Sequence, residues 1–346
     1  SHSARMAHNK AMRNEAHERD AIRALFLKTH LDKLKMFVTE EVVETIEKES
    51  AAAPTDYAIP EPVQEQPSSI RGEMREYQVA GLQWLVRQYD HGINAILADE
   101  MGLGKTLQTI AFLLPLLLAM QAYLTFDRHV TGPHLVVVPL SVLPNWMAEF
   151  KRFAPDLRVV RIHVNDEGER QRLRREVLSD PSSFDVAVTT YDMVNSVHFG
   201  ETLKHAIVWR YVVLDEGHRV KNEDALISQG MRQVQKQHVL MLTGTPVQNN
   251  LHELFALLNF MFPDVFTSSE AFDKAFNLTQ NVVDTGTLEA AHYLLRPFML
   301  RRDEVECKLP PKVETRINCP LSEFQTFWYR RLLLRDCEML KQLSRS

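Results

Sequence analysis

Between residues 93 and 242 the chain returns six times to a short run rich in Val, Ile and Leu: 93–98, 135–138, 158–162, 185–189, 211–214 and 238–242. The apolar residues are continuous rather than alternating, which marks strands buried on both faces, as in a parallel sheet covered by helices. The stretches between the runs read as those helices, 107–120 most clearly. An α/β fold is therefore expected from residue 70 to about residue 296. Ahead of it, Leu27, Leu31, Leu34, Val38, Val42 and Ile46 fall on one helical face, so residues 1–50 read as a helical arm. Residues 51–69 contain Pro54, Pro60, Pro62 and Pro67 and little that could form a core, which makes them a linker at a domain boundary.

Charge divides the arm. Its first part is basic (Arg5, Lys10, Arg13, Arg19, Arg23, Lys28, Lys33, Lys35) and its end acidic (Glu40, Glu41, Glu44, Glu47, Glu49). Such a segment either packs its apolar stripe on the main domain or serves as a regulatory or DNA-touching arm. The whole chain of 346 residues carries a net charge of −5, which excludes a uniformly basic nucleic-acid binder; any such contact has to come from a local patch. Cys307, Cys319 and Cys337 are widely spaced, so a zinc site is not expected and reduced thiols in an intracellular protein are. The most apolar run, 110–120, is too short to cross a bilayer and contains Pro115, so no membrane span is expected.

Candidate chemistry begins where the first strand-like run meets the helix at 107–120. The segment Asp99-Glu100-Met101-Gly102-Leu103-Gly104-Lys105-Thr106 is a phosphate-binding loop. Backbone N–H groups at a strand-to-helix turn point outward, and the helix dipole favours an anion there. Gly102 and Gly104 let the backbone close on phosphate, Lys105 reaches the β- and γ-phosphates, and the Thr106 hydroxyl is a Mg²⁺ ligand. Asp99 stands where this pattern usually has Gly. Asp215 and Glu216 close the run 211–214; an acidic pair there supplies one carboxylate for Mg²⁺ and a second to orient or deprotonate an attacking water. Thr243-Gly244-Thr245-Pro246 follows the last run, where small hydroxyls beside a nucleotide can sense the γ-phosphate. Taken alone, that segment is an ordinary Gly-Pro turn.

Together these segments resemble motifs I, II and III of the Swi/Snf-type chromatin-remodelling ATPases, members of the second helicase-like superfamily. The matching stretches are Leu97-Ala98 with the loop 99–106, Asp215-Glu216-Gly217-His218-Arg219-Val220-Lys221-Asn222, and Leu242-Thr243-Gly244-Thr245-Pro246-Val247-Gln248-Asn249-Asn250-Leu251. The likeness runs from about residue 71 to the end. It implies a RecA-like first lobe at 70–296, then a crossing segment (Arg296, Pro297, Phe298, Leu300, Arg301, Arg302) and the first elements of a second lobe within 297–346. It implies ATP and Mg²⁺ as cofactors, with Gln78 of Met74-Arg75-Glu76-Tyr77-Gln78 reading the adenine edge. It implies phosphate contacts to double-stranded DNA from Ser141, Thr189 and Thr190, in segments resembling motifs Ia and Ib. Lys151, Arg152, Arg158 and Arg161 nearby could add to these contacts or form a solvated face. Nucleosomes, histones and other remodeller subunits follow as partners, and the nucleus as location.

Within the family, His252-Glu253-Leu254, Leu257-Leu258-Asn259-Phe260, Pro263-Asp264-Val265-Phe266, Trp209-Arg210-Tyr211 and Leu309-Pro310-Pro311-Lys312 are most similar to the imitation-switch branch. Gly217 departs from that branch, which has Ala. No segment resembles the Gln-x-x-Gly-Arg-x-x-Arg motif that supplies arginine fingers from the second lobe. The resemblance thus implies that these residues alone bind ATP and hydrolyse it feebly if at all. A DNA or RNA helicase of the same superfamily and a non-catalytic scaffold lobe are the alternatives. Asp-Glu-Gly-His rather than Asp-Glu-Ala-Asp counts against the first, and intact Lys105, Thr106, Asp215 and Glu216 against the second.

Overall fold

The computed structural model of the chain describes residues 2–54, 64–123, 133–244, 251–276, 290–291, 293–302, 315 and 318–333. Residues 1–305 form one compact unit and residues 306–346 another, whose described residues include the helix Glu323–Leu333. Among the described residues of the larger unit seven strands form one parallel sheet, in the order β3-β4-β2-β5-β6-β1-β7. They are β1 (Ala95–Leu97), β2 (His134–Val138), β3 (Val159–Ile162), β4 (Val186–Thr190), β5 (Trp209–Asp215), β6 (Lys236–Leu242) and β7 (Met299–Leu300). Each of the six apolar runs is a strand, with its ends moved by a residue or two. The seventh strand was not foreseen, because two residues carry no period. It is held by backbone bonds from Ile96 N to Phe298 O (2.8 Å) and Ala98 N to Leu300 O (2.7 Å).

Two cores explain why the runs are continuous. Ile96, Leu135, Val137, Val212, Leu214, Val239 and Met241 face one way, onto the arm and the helix α10 (Leu251–Met261). Ala95, Leu97, Val136, Val138, Val213, Leu240 and Leu242 face the other way, onto α4 (Glu76–Asp90), α5 (Lys105–Tyr123) and α6 (Leu143–Phe153). With both faces covered, both sets of alternating positions are mainly apolar, and the polar residues among them, such as Arg210 and Thr189, are buried with hydrogen-bond partners.

The arm consists of α1 (His2–Thr29), α2 (Leu31–Leu34) and α3 (Glu40–Ser50), and it packs on the first of these cores. Leu27, Leu34, Val38, Val42 and Ile46 are buried there, with Leu31 half-buried beside them. Polar contacts bind α1 to the amino ends of the strands. Asn9 donates to Ala206 O at 3.0 Å and accepts from Val208 N at 2.9 Å, so its amide acts as one more peptide ahead of β5. Glu15 forms a two-pronged pair with Arg210 of β5, at 2.6 and 2.9 Å, and the Arg210 side chain is 1% exposed. Arg23 grips Asp264 just beyond α10 (2.5 and 2.8 Å), and Arg19 donates to Tyr89 O (3.0 Å). The phosphate loop lies at the opposite, carboxyl end of the sheet.

Candidate active site

The phosphate loop joins β1 to α5, and Lys105 is the first residue of that helix. Gly102 and Gly104 take φ of +88° and +74°, which favours glycine at both. Gly104 is needed a second time, since a Cβ there would lie 2.4 Å from Gln78 Nε2. The Lys105 amine donates to Asp99 O (2.7 Å) and Glu100 O (3.2 Å). Burial lowers its pKa, against the negative charges of Asp99, Glu216 and Asp215, which raise it. The amine therefore lies in the field of both acidic groups that close β5. Met101, at the loop's tip, is 81% exposed.

Gln78 sits against this loop with its amide engaged. Its Oε1 accepts from Arg75 N at 2.9 Å, and its Nε2 donates to Leu103 O at 3.2 Å, where Tyr77 Oη also donates at 3.0 Å. Reading an adenine edge would require Gln78 to exchange these backbone partners for the base. Asp99 is turned away from the phosphate side: its carboxylate is fully buried and paired with Arg302.

Asp215 ends β5 in register with Leu242 of β6, which is in register with Leu97 of β1. The acid thus stands two strand spacings, about 10 Å, from Leu97 at the end of β1. Three groups fix it. Trp146 Nε1 donates to Oδ2 at 2.8 Å, Glu216 N donates to Oδ1 at 3.0 Å, and Tyr191 Oη donates to the Asp215 carbonyl at 2.7 Å. Burial raises the Asp215 pKa, the Trp146 N–H works against that, and the Glu216 charge adds to it. Glu216 is the only non-glycine residue with positive φ among the described residues (φ 53°, ψ 50°). That left-handed turn, which costs on the order of 1–2 kcal/mol, swings its carboxylate out of the strand line. Its Oε2 lies 3.2 Å from His218 Nδ1. Next to it, a Cβ on Gly217 would come within 2.0 Å of Met241 Cγ, so glycine is required by what packs beneath. The Thr106 hydroxyl and Asp215 carboxylate are hard oxygen donors that suit Mg²⁺, and two such ligands leave its remaining positions to phosphate and water.

The third segment reaches the same place. Thr243 is buried, its N–H donates to Leu97 O at 3.2 Å, and a Cβ on Gly244 would lie 3.2 Å from Met101 Cγ. Thr245 lies outside the described residues.

The three positions expected at DNA separate. Ser141 is exposed in the turn Leu140–Val142 that follows β2. Thr189 and Thr190, by contrast, are 0% and 1% exposed. The Thr189 hydroxyl donates to Ile162 O at 2.8 Å, and that of Thr190 lies 3.4 Å from His163 Nδ1. Both hydroxyls are thus engaged between β4 and β3, so a phosphate contact at these two positions would fall to the backbone N–H groups. Arg158 is likewise committed, its guanidinium forked on Asp185 and bound to Ser182 O.

Sequence reasoning missed Trp146, Tyr191, Tyr77, Gln108 and Arg302 as parts of this site. A buried Trp or Tyr needs an acceptor for its polar atom, but a linear pattern does not say which one. Asp99 did carry a signal: a carboxylate at the end of a buried strand demands a cation.

The SNF2-related domain matches residues 77–346. A "Probable chromatin-remodeling complex ATPase chain" of Oryza sativa subsp. japonica is 48% identical over 277 residues, 80% of this chain and 24% of that protein. The "ISWI chromatin-remodeling complex ATPase CHR11" of Arabidopsis thaliana is 47% identical over 275 residues, covering 79% and 25%. This chain thus spans about a quarter of the length of these relatives. Among solved structures, the "Sulfolobus solfataricus SWI2/SNF2 ATPase core in complex with dsDNA" superposes with a TM-score of 0.58 at 30% identity, over 79% of this chain and 53% of that one. The family match covers the loop, the acidic end of β5 and the segment after β6 alike, and the chain belongs to the family of SNF2-related domains.

Proposed function

We propose that this chain is the first lobe of an ATP-driven, double-stranded DNA translocase that remodels nucleosomes in the nucleus, together with other remodeller subunits. The observation that carries the reading is the convergence of Lys105, Asp215 and Glu216 on one edge of the sheet, with the Lys105 amine in the field of both acids. In this reading Gln78 takes the adenine edge, and loop N–H groups with Lys105 hold the β- and γ-phosphates. Asp215 and Thr106 face the Mg²⁺ that accompanies ATP and offsets charge on its phosphates. Glu216 orients the attacking water or takes its proton. Thr243, Gly244 and Thr245 relay the state of the γ-phosphate, and Ser141 meets the DNA backbone without reading sequence. Duplex DNA as the track is supported by the archaeal core, whose structure was determined with dsDNA.

The test is ATP turnover of the full-length protein with no nucleic acid, naked duplex, RNA and nucleosomes. Stimulation by duplex DNA and nucleosomes is expected; stimulation by RNA alone would point to a helicase, and none by duplex would end the translocase reading. The 346 residues alone should bind ATP yet turn over at least about 10³-fold more slowly than the full-length protein, because no arginine-finger motif occurs among them.

Trp146→Phe isolates the bond that aims Asp215. Phe keeps an aromatic ring beside Phe150 (ring centroids 6.0 Å apart) and deletes the N–H donor, but it also leaves a small cavity, so melting is read alongside turnover. A charge-assisted bond of this kind contributes about 1.5–3 kcal/mol, so kcat/KM should fall about 10-fold or more, with a raised Mg²⁺ requirement. Titration of turnover against Mg²⁺ checks it; an unchanged Mg²⁺ curve would show that Trp146 only fills space.

A further inference from the structure

Asp99 is the position at which this loop departs from glycine, and its buried carboxylate is answered from far along the chain. Arg302 Nε donates to Oδ1 at 2.9 Å and Nη2 donates to Oδ2. The same guanidinium donates to Tyr77 O on α4 and, at 2.7 Å, to Gln108 Oε1 on α5, and it lies 5.4 Å from the Tyr77 ring centroid. Gln108 Nε2 closes the cluster with a 3.4 Å bond to Asp99 Oδ2. One side chain therefore touches the helix that bears Gln78, the helix that begins at Lys105, and the first residue of the loop between them. Arg302 itself stands two residues beyond β7, the strand that pairs with β1. From the other side, the Asp99 carbonyl accepts from the Lys105 amine at 2.7 Å. Lys105 and Arg302 hold the same residue by its two ends.

Resting on the phosphate-loop reading above, we propose that Arg302 is a positioning residue that couples phosphate at Lys105 to the chain running on from residue 303. To take a phosphate, the amine exchanges the Asp99 and Glu100 carbonyls for phosphate oxygens, and the Asp99 peptide is free to turn. Its carboxylate is locked in a buried, forked ion pair, so a turn at Asp99 is passed to Arg302 rather than absorbed by solvent. Arginine suits the task where lysine does not: one planar group meets two carboxylate oxygens, a carbonyl and an amide oxygen at once, which a single ammonium cannot.

The test uses the full 346-residue chain and compares wild type with Arg302→Lys, with the neutral pair Asp99→Asn/Arg302→Gln as a second variant should the first fold poorly. Three quantities are read: the melting temperature, the affinity for N-methylanthraniloyl-ADP with Mg²⁺, and amide hydrogen exchange of a peptide covering residues 296–302. In wild type, nucleotide should change exchange in that peptide. In either variant, nucleotide affinity should stay within about threefold while the exchange response is lost; in the full-length enzyme kcat should drop about 10- to 100-fold with KM little altered. A retained exchange response, or melting temperature and affinity falling together, would overturn the coupling role. Equal nucleotide binding by wild type and Lys105→Ala would instead overturn the phosphate-loop reading on which it stands.

Discussion

Lys105→Ala is expected to lower DNA-stimulated ATP turnover by about 10²–10³-fold while leaving the fold intact, the range seen when one preorganised donor is taken from developing charge. Two features of the site lead there. The amine is placed by the first turn of α5, beside Asp99 and Glu100, so no neighbouring side chain inherits its position. Its charge also holds down the pKa of Asp215, which burial already pushes up. Removing it both strips the phosphates of a partner and makes Asp215 a poorer anion for Mg²⁺. The fold should not suffer, because the amine bonds only to loop carbonyls. Steady-state kinetics alongside thermal melting separate the two effects. Turnover within tenfold of wild type would mean that the phosphates are held elsewhere.

The second large effect lies at the other end of the sheet. Glu15→Ala is expected to destabilise the larger unit by about 3–5 kcal/mol, because it leaves the Arg210 guanidinium buried without its counter-charge. The guanidinium also meets the Tyr89 hydroxyl at 3.3 Å and the Met12 sulfur at 3.6 Å, neither of which is a carboxylate. At about 2–4 °C per kcal/mol for a unit of this size, the melting temperature should fall by about 6–20 °C. Arg13→Ala is the control: its bond to Gln235 is exposed, and its loss should stay within about 0.5 kcal/mol. A Glu15→Ala melting temperature within a degree or two of wild type would mean that water replaces the carboxylate and that the arm is merely lodged on the lobe. The expected result makes the arm part of the folding unit.

How far the sequence revealed this molecule can be followed residue by residue. The sheet was legible because strands buried on both faces leave uninterrupted apolar runs, and the loop was legible because its glycines and lysine have fixed spacing. β7 was not, since Met299 and Leu300 become a strand only through pairing with β1, where Phe298 O and Leu300 O accept from Ile96 N and Ala98 N. The acidic pair was legible as an isolated feature, but the Trp146 and Tyr191 bonds that aim it come from other elements, joined by the fold alone. Thr189 and Thr190 show a different limit. A hydroxyl at a strand end is equally suited to meeting a phosphate or capping a neighbouring strand, and which one it does depends on whether β3 lies alongside.

The close approach of Gly217 to Met241 constrains how this sequence can change. An alanine at 217 cannot be accommodated while the Met241 Cγ occupies the space 2.0 Å from where its Cβ would lie. The two positions form a lock with an order of operations: a smaller or differently branched residue at 241 has to come first, after which 217 is free to gain a methyl. A chimera that imports an acidic motif with alanine at position 217, without the strand beneath it, therefore carries a clash inside this turn. Exchanges of this segment between relatives have to move residues 215–218 and 241 as a single block.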